Sequence, residues 1–150
     1  MADTTTARNA CNASVWLDDS GGTLLDISGS SNSFDPSFTR EIGDYHVFQQ
    51  CWKKRLACGL DGSFTLNVVY STTAAEAFQL LNAWLFEGCL ATFRTLTWFM
   101  PDKNVGSNMW SAEVLLADFG WTEDPSDPGP VIATATLVPS GEVSHSVLAT

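Results

Sequence analysis

Two periods of hydrophobic residues stand side by side in the middle of the chain. From Ser63 to Tyr70 the pattern alternates: Phe64, Leu66, Val68 and Tyr70 fall on one face and Ser63, Thr65 and Asn67 on the other. A period of two is that of a half-buried strand. From Thr73 the period lengthens, and Ala77, Phe78, Leu81, Trp84 and Leu85 recur at helical spacing as one apolar stripe. Thr73 with Glu76 three residues on has the form of a capping box, and Gly88 is placed for a left-handed C-cap. The spacing therefore predicts a helix over about Thr73–Glu87. Burying Phe78, Leu81, Trp84 and Leu85 contributes about 1.5–3 kcal/mol each before entropy is counted.

The other segments read as strand or loop. Ala13 to Leu17 and Thr23 to Ile27 flank the turn Asp18-Asp19-Ser20-Gly21-Gly22 and predict an N-terminal hairpin. Ser28 to Asp35 is rich in loop formers, and Pro36 is barred from a central strand. Phe38 to Ile42 alternates briefly before Gly43-Asp44, which reads as a break. Gly43 to Lys54 has no clean period and is expected to be a long loop, of the kind that is commonly interfacial. Asp61-Gly62 is a turn signal. Leu90 to Met100, Met109 to Phe119 and Val131 to Val138 predict three more strands, the second and third separated by the rigid acidic loop Glu123 to Pro130. The expectation is one mainly β domain, a sandwich or barrel with one flanking helix. Met1 to Asn12 is its N-terminal arm and Glu142 to Thr150 its C-terminal tail.

Composition narrows the function. At 150 residues and 45% hydrophobic, the chain can bury a core without disulfides or metal. Charged residues make up only 16%, which with six tryptophans and nine phenylalanines points to surface covered by partners. The net charge of -10 argues against tight binding to a phosphate backbone. The beginning, MADTTTARNA, has no signal-peptide pattern, and no apolar run is long enough for a membrane span, so free thiols and no membrane partner are expected. Without secretion, the acceptor pattern Asn12-Ala13-Ser14 carries no meaning.

Candidate chemistry is sparse. His46 and His145 lie in loop or tail segments, with no nucleophile placed beside either and no catalytic motif in the chain. A zinc site from Cys51, Cys58 and His46 lacks a close cysteine pair and is weaker than the reading of simple thiols. Asp124 and Asp127 lack calcium-ligand spacing and read better as a solvated turn. No catalytic, metal-binding or cofactor-binding residue is assigned. The triplet Lys53-Lys54-Arg55 holds three of the seven basic residues. It is either a solvated strand end or an electrostatic contact with an acidic segment of another copy, such as Asp18-Asp19 or Glu123-Asp124. With the neighbouring aromatics Tyr45, Phe48 and Trp52 it forms a candidate inter-subunit interface.

Several fragments resemble one family. They are Asp26-Ile27-Ser28, Arg40-Glu41-Ile42-Gly43-Asp44, Trp52-Lys53-Lys54-Arg55-Leu56-Ala57, Gly59-Leu60-Asp61-Gly62-Ser63-Phe64 and the closing ATATLVPSG run from Ala133 to Gly141. In this order, over Thr23 to Glu142, they resemble the tail tube protein (major tail protein) of long-tailed bacteriophages. Cys58 departs from the family's Ala-Gly-Leu run as an extra residue, which leaves the local register open. The resemblance implies a β-sandwich with a flanking helix and hexameric rings stacked into a hollow tube, with strands merging across the ring into one barrel. It implies that the Gly43 to Lys54 loop and both arms bridge successive rings. The implied partners are further copies of the chain, tape measure, tail terminator and distal tail proteins, and double-stranded DNA passing through the lumen without tight binding. The implied location is the virion tail, assembled in the host cytoplasm.

The leading reading is thus a non-enzymatic, self-assembling tail tube subunit. The alternative from another class is a monomeric carbohydrate-binding β-sandwich module using Trp16, Trp52, Trp110 and Trp121. A small hydrolase comes third, because no nucleophile and base can be named.

Overall fold

The computed structural model describes residues 11–88 and 92–149. Its strands are β1 (Ser14–Asp18), β2 (Leu24–Asp26), β3 (Ser31–Tyr45), β4 (Lys54–Val69), β5 (Arg94–Met100), β6 (Asn108–Trp121), β7 (Ile132–Pro139) and β8 (Ser144–Val147). The helix α1 spans Ala77–Leu85, and a 3-10 turn occupies Ser28–Ser30. All strand pairs are antiparallel, in one eight-stranded sheet of order β2-β1-β5-β6-β7-β4-β3, with β8 joined to the start of β6.

The sheet curls over itself. Trp98 of β5 lies 5.2 Å from Phe34 of β3 and 5.0 Å from Phe64 of β4, although β6 and β7 stand between β5 and β4 in the sheet. The enclosed core takes every second residue of the strands: Phe64, Leu66 and Val68 of β4, Leu96 and Trp98 of β5, Ala133, Ala135 and Leu137 of β7. The alternation in the sequence predicts these inward faces. Helix α1 packs on β6 and β4 and buries Ala77, Phe78, Leu80, Leu81 and Trp84 against them. This is the mainly β, barrel-type architecture with one flanking helix.

Several local expectations change. Ser28 to Asp35 is not loop throughout, since β3 begins at Ser31. Pro36 is accommodated because β3 is an edge strand, whose outer side needs no N–H donor. Gly43-Asp44 does not end the strand, and Asp61-Gly62 is strand rather than turn: Phe38 pairs with Gly62, and Gly43 with Leu56. The long loop shrinks from Gly43–Lys54 to residues 46–53. The C-terminal tail contains a strand, β8, which covers one edge of β6. Met1 to Ala10 of the N-terminal arm, Cys89 and the first residues of the Leu90 to Met100 strand lie outside the described residues.

The helix start differs too. The capping box at Thr73 does not form, and Glu76 at the N-cap makes no side-chain cap hydrogen bond. Instead the buried Ala77 N–H donates to the Ser30 hydroxyl at 3.0 Å. A side chain 47 residues away in sequence thus takes the role expected of Thr73. The other end follows expectation, with Gly88 at φ 77°. Just before it Glu87 accepts from Arg94 at 2.6 Å, and the Arg94 guanidinium lies 4.9 Å from the Trp84 ring, tying the helix end to β5.

Ser30→Ala is expected to lower unfolding stability by about 1 kcal/mol, the usual loss of a helix cap. Thr73→Ala should be nearly neutral; equilibrium urea denaturation of both variants checks the assignment.

Candidate functional site: a projecting two-stranded ribbon

β4 has two neighbours for only part of its length. It pairs with β7 from Phe64 to Val69, whereas its pairing with β3 runs on to Tyr45 and Lys54. Beyond Phe64 the two strands therefore leave the body as a two-stranded ribbon. From Phe38 to Tyr45 it extends about 23 Å at the usual strand rise.

The register assigns the ribbon's faces. Phe38, Arg40 and Leu60 continue the side that carries Phe64 and Leu66 in the body. The opposite side continues from Asp35 and Thr65 through Ser37, Ser63, Thr39 and Asp61. Between Arg40 and Ile42 the register shifts: Arg40 pairs with Leu60 and Ile42 with Ala57, so Cys58 and Gly59 both stand opposite Glu41. The extra residue noted at Cys58 falls in this bulge, which takes up one residue without undoing the pairing on either side.

The ribbon exposes large apolar side chains. Leu60 is 68% exposed, Ile42 56%, Trp52 87% and Phe48 100%. In the connecting residues Gln49 has φ 65°, a left-handed turn. Tyr45, Phe48 and Trp52, three candidates named from sequence, are thus all at the ribbon's end and all exposed.

The basic triplet is also at this end, and its electrostatics are partly internal. Arg55 Nε donates to Asp44 Oδ1 at 3.3 Å, and Lys53 Nζ lies 3.9 Å from Asp44 Oδ2. Lys54, paired in register with Tyr45, makes no ion pair among the described residues. The candidate acidic partners have local roles within the subunit. Asp18 accepts from the Thr95 N–H at 3.3 Å, and Asp19 from the N–H groups of Gly21 and Thr23. Glu123 accepts from the Trp121 indole at 3.3 Å. Asp124 accepts from the Ser126 hydroxyl and N–H, which hold its carboxyl below the usual carboxylate range. Asp127 accepts from the Gly129 N–H. Asp44 is the carboxylate that sequence reasoning missed, because its strand position, facing Arg55, follows only from the pairing of β3 with β4.

The remaining candidates do not converge. His145 lies tilted against Trp110, 5.1 Å between ring centroids, and contacts Asn108, while His46 lies in the ribbon's connection. Among the described residues, no three His, Cys, Asp or Glu side chains stand together as metal ligands, and no helix is long and apolar enough to cross a membrane. Nor do the tryptophans form a platform. Trp110 stacks on Trp98, Trp16 is covered by the Lys103 ammonium at 4.0 Å, and Trp121 packs on Phe78 and Phe119. Of the four, only Trp52 is largely exposed.

No protein-family model and no curated protein sequence matches the chain. Solved structures do match its fold. The tail of an empty gene transfer agent particle, refined helically under C6 symmetry, superposes with a TM-score of 0.74 at 14% identity, over 94% of this chain and 100% of that one. A chain of the sheath/tube terminator of the PVC extracellular contractile injection system gives 0.74 at 12% identity, over 97% and 100%. The SPP1 tail tube gives 0.63 at 9% identity, over 91% and 77%. The fold is therefore that of the tubes and terminators of phage-like tails.

Removing the internal ion pairs of the ribbon should leave the subunit intact. Asp44→Ala is expected to change unfolding stability by less than about 1 kcal/mol, because exposed pairs contribute little. Urea titration with the midpoint compared at low and high salt measures it.

Proposed function

We propose that the chain is a non-enzymatic tail tube subunit that self-assembles into hexameric rings, stacked into a hollow tube through which DNA leaves the particle. The observation that carries this reading is the ribbon. It offers the outer edge of β3 and, below Phe64, the free edge of β4, both with unsatisfied backbone donors and acceptors. β3 and β4 run in opposite directions, so the β3 edge of one copy can pair antiparallel with the β4 edge of the next. Repeated head to tail around an axis, this pairing closes a ring and leaves no open edge. The likeness to particle tails supports the same reading.

The faces suit such a barrel. Thr65, Asn67, Thr134 and Thr136 lie on the outward side of β4 and β7, with Asn67 bonded to Ser33 at 2.7 Å and to Thr134 at 2.7 Å. Asp35, Asp61 and Glu41 extend this side along the ribbon. A wall of hydroxyls, amides and carboxylates can stay wet, and between Asp35 and Glu41 it presents no cation to retain a phosphate backbone. The other side of the ribbon exposes Phe38, Ile42 and Leu60 beside Arg40, apolar surface that calls for cover by neighbouring copies.

In this assembly the basic end of the ribbon reaches acidic segments of other copies, with Asp18-Asp19 and Glu123-Asp124 as candidate contacts. Tape measure, terminator and distal tail proteins would be its partners at the ends of the tube, assembled in the host cytoplasm and retained in the virion.

Negative-stain electron microscopy of the purified protein tests the reading. Rings or tubes are expected; monomers at every concentration would overturn it. Lys53→Glu combined with Lys54→Glu should keep the folded circular dichroism spectrum and give shorter tubes or unstacked rings, and unchanged tube lengths would remove the ionic contact from the proposal.

A further inference from the structure

The β3–β4 ladder is interrupted once along the ribbon. Arg40 pairs with Leu60 and Ile42 with Ala57, so two steps along β3 are met by three along β4, and Cys58 and Gly59 share the one partner Glu41. Four pairs lie beyond the interruption, from Ile42 with Ala57 to Tyr45 with Lys54. We propose, resting on the tube-subunit reading, that this bulge is a built-in bend that aims the outer part of the ribbon and thereby sets the angle between neighbouring copies in a ring.

Three observations carry the proposal. The first is position. A second shift in the same ladder, between Ser31 and Ser33, places its extra residue, Asn32, on β3. There β4 is also paired with β7, Asn67 with Thr134 and Val68 with Ala133, so the body holds that irregularity in place. The bulge at Cys58 and Gly59 lies past Phe64, where the pairing of β4 with β7 ends. Past that point β3 alone pairs with β4 among the described residues, so the bend is passed on to the pairs beyond it, which span about 10 Å.

The second is conformation. A bulge built on a left-handed residue takes glycine there. Gly59 has no positive φ, and a Cβ placed on it meets nothing within 4 Å. The bulge is therefore fixed by the number of residues between the two paired blocks and not by their identity.

The third is the course of the side-chain faces. Ile42 keeps the side of β3 that Arg40 occupies, and beyond the bulge Arg55 Nε still meets Asp44 Oδ1 at 3.3 Å across the pair. A slip of one residue would turn every following side chain to the other face. Here the extra residue is absorbed, so the bulge alters the direction and twist of the ribbon and not which residues it shows.

The physical consequence is a matter of length. One more residue adds about 3.3 Å of backbone to β4. The strand bows to take it up, and the local right-handed twist increases. In a ring of head-to-tail contacts the rotation from copy to copy must divide a full turn, or the contacts run on as an open helix. The pairing edges of the ribbon fix that rotation, and the bulge fixes how those edges run.

Residue count and residue identity can be tested separately. Deleting Cys58 or deleting Gly59 removes the mismatch and restores a regular ladder with every face in place. Cys58→Ser and Gly59→Ala keep the count. The four full-length variants and the unmodified protein are compared under reducing conditions, by circular dichroism of the subunit and by counting subunits in end-on ring views by electron microscopy. Both deletions should keep the folded spectrum, and both should shift the subunit number of the ring or leave it an open arc. Both substitutions should leave that number unchanged. Rings of the original number from either deletion, a substitution that alters the ring as a deletion does, or deletion variants that unfold or stay monomeric would each overturn the bend and leave the tube reading standing. Failure of the unmodified protein to form any ring or tube would overturn that reading itself.

Discussion

Pairing of β4 with β7 ends at Phe64, while its pairing with β3 continues to Lys54. That mismatch is a constraint on hydrogen bonding. Each strand residue carries a donor and an acceptor that need a partner, and water supplies it less well as apolar side chains gather on the same strand. Inside the body the mismatch does no harm, because the sheet curls and its face closes over a core. Outside the body it leaves a two-stranded ribbon with two open edges and exposed apolar residues among its charges. Such a ribbon is an aggregation hazard unless another chain is meant to complete it.

The body is built to hold that ribbon steady. The aromatic cluster of Phe34, Phe38, Phe64 and Trp98 sits at the ribbon's root and ties β3 and β4 to β5. The helix closes another part of the core, anchored at its start by Ser30 and at its end by the Arg94–Glu87 pair against Trp84. The charges within the ribbon, by contrast, are exposed and weakly coupled.

What could be read from the sequence was mostly periodic. Alternation located β4, β6 and β7 and their buried faces, and helical spacing located Phe78, Leu81 and Trp84. The concentration of basic and aromatic residues at Tyr45 to Arg55 marked the segment that proves most exposed. The extra residue at Cys58 marked the bulge. These signals are local, set by which side chains can share a face over a few residues. The resemblance to tail tube proteins agrees with the fold.

Other features depended on groups distant in the chain. Gly43-Asp44 and Asp61-Gly62 look like turns because their propensities favour turns, yet each is strand, since pairing along the β3–β4 ladder outweighs a propensity of a fraction of a kcal/mol per residue. Thr73 has the form of a cap, but the helix takes its cap from Ser30, which the 3-10 turn brings up from across the fold. Asp44 meets Lys53 and Arg55 only once the hairpin has formed. Phe34, Trp98 and Trp110 come into contact from three different strands, a grouping with no sequence signature. Sequence by itself determined which residues are apolar, charged and periodic, hence the strands, the helix and the segment where basic and aromatic residues gather. Tertiary structure alone decided the length of the ribbon, because that follows from how far each strand finds a partner.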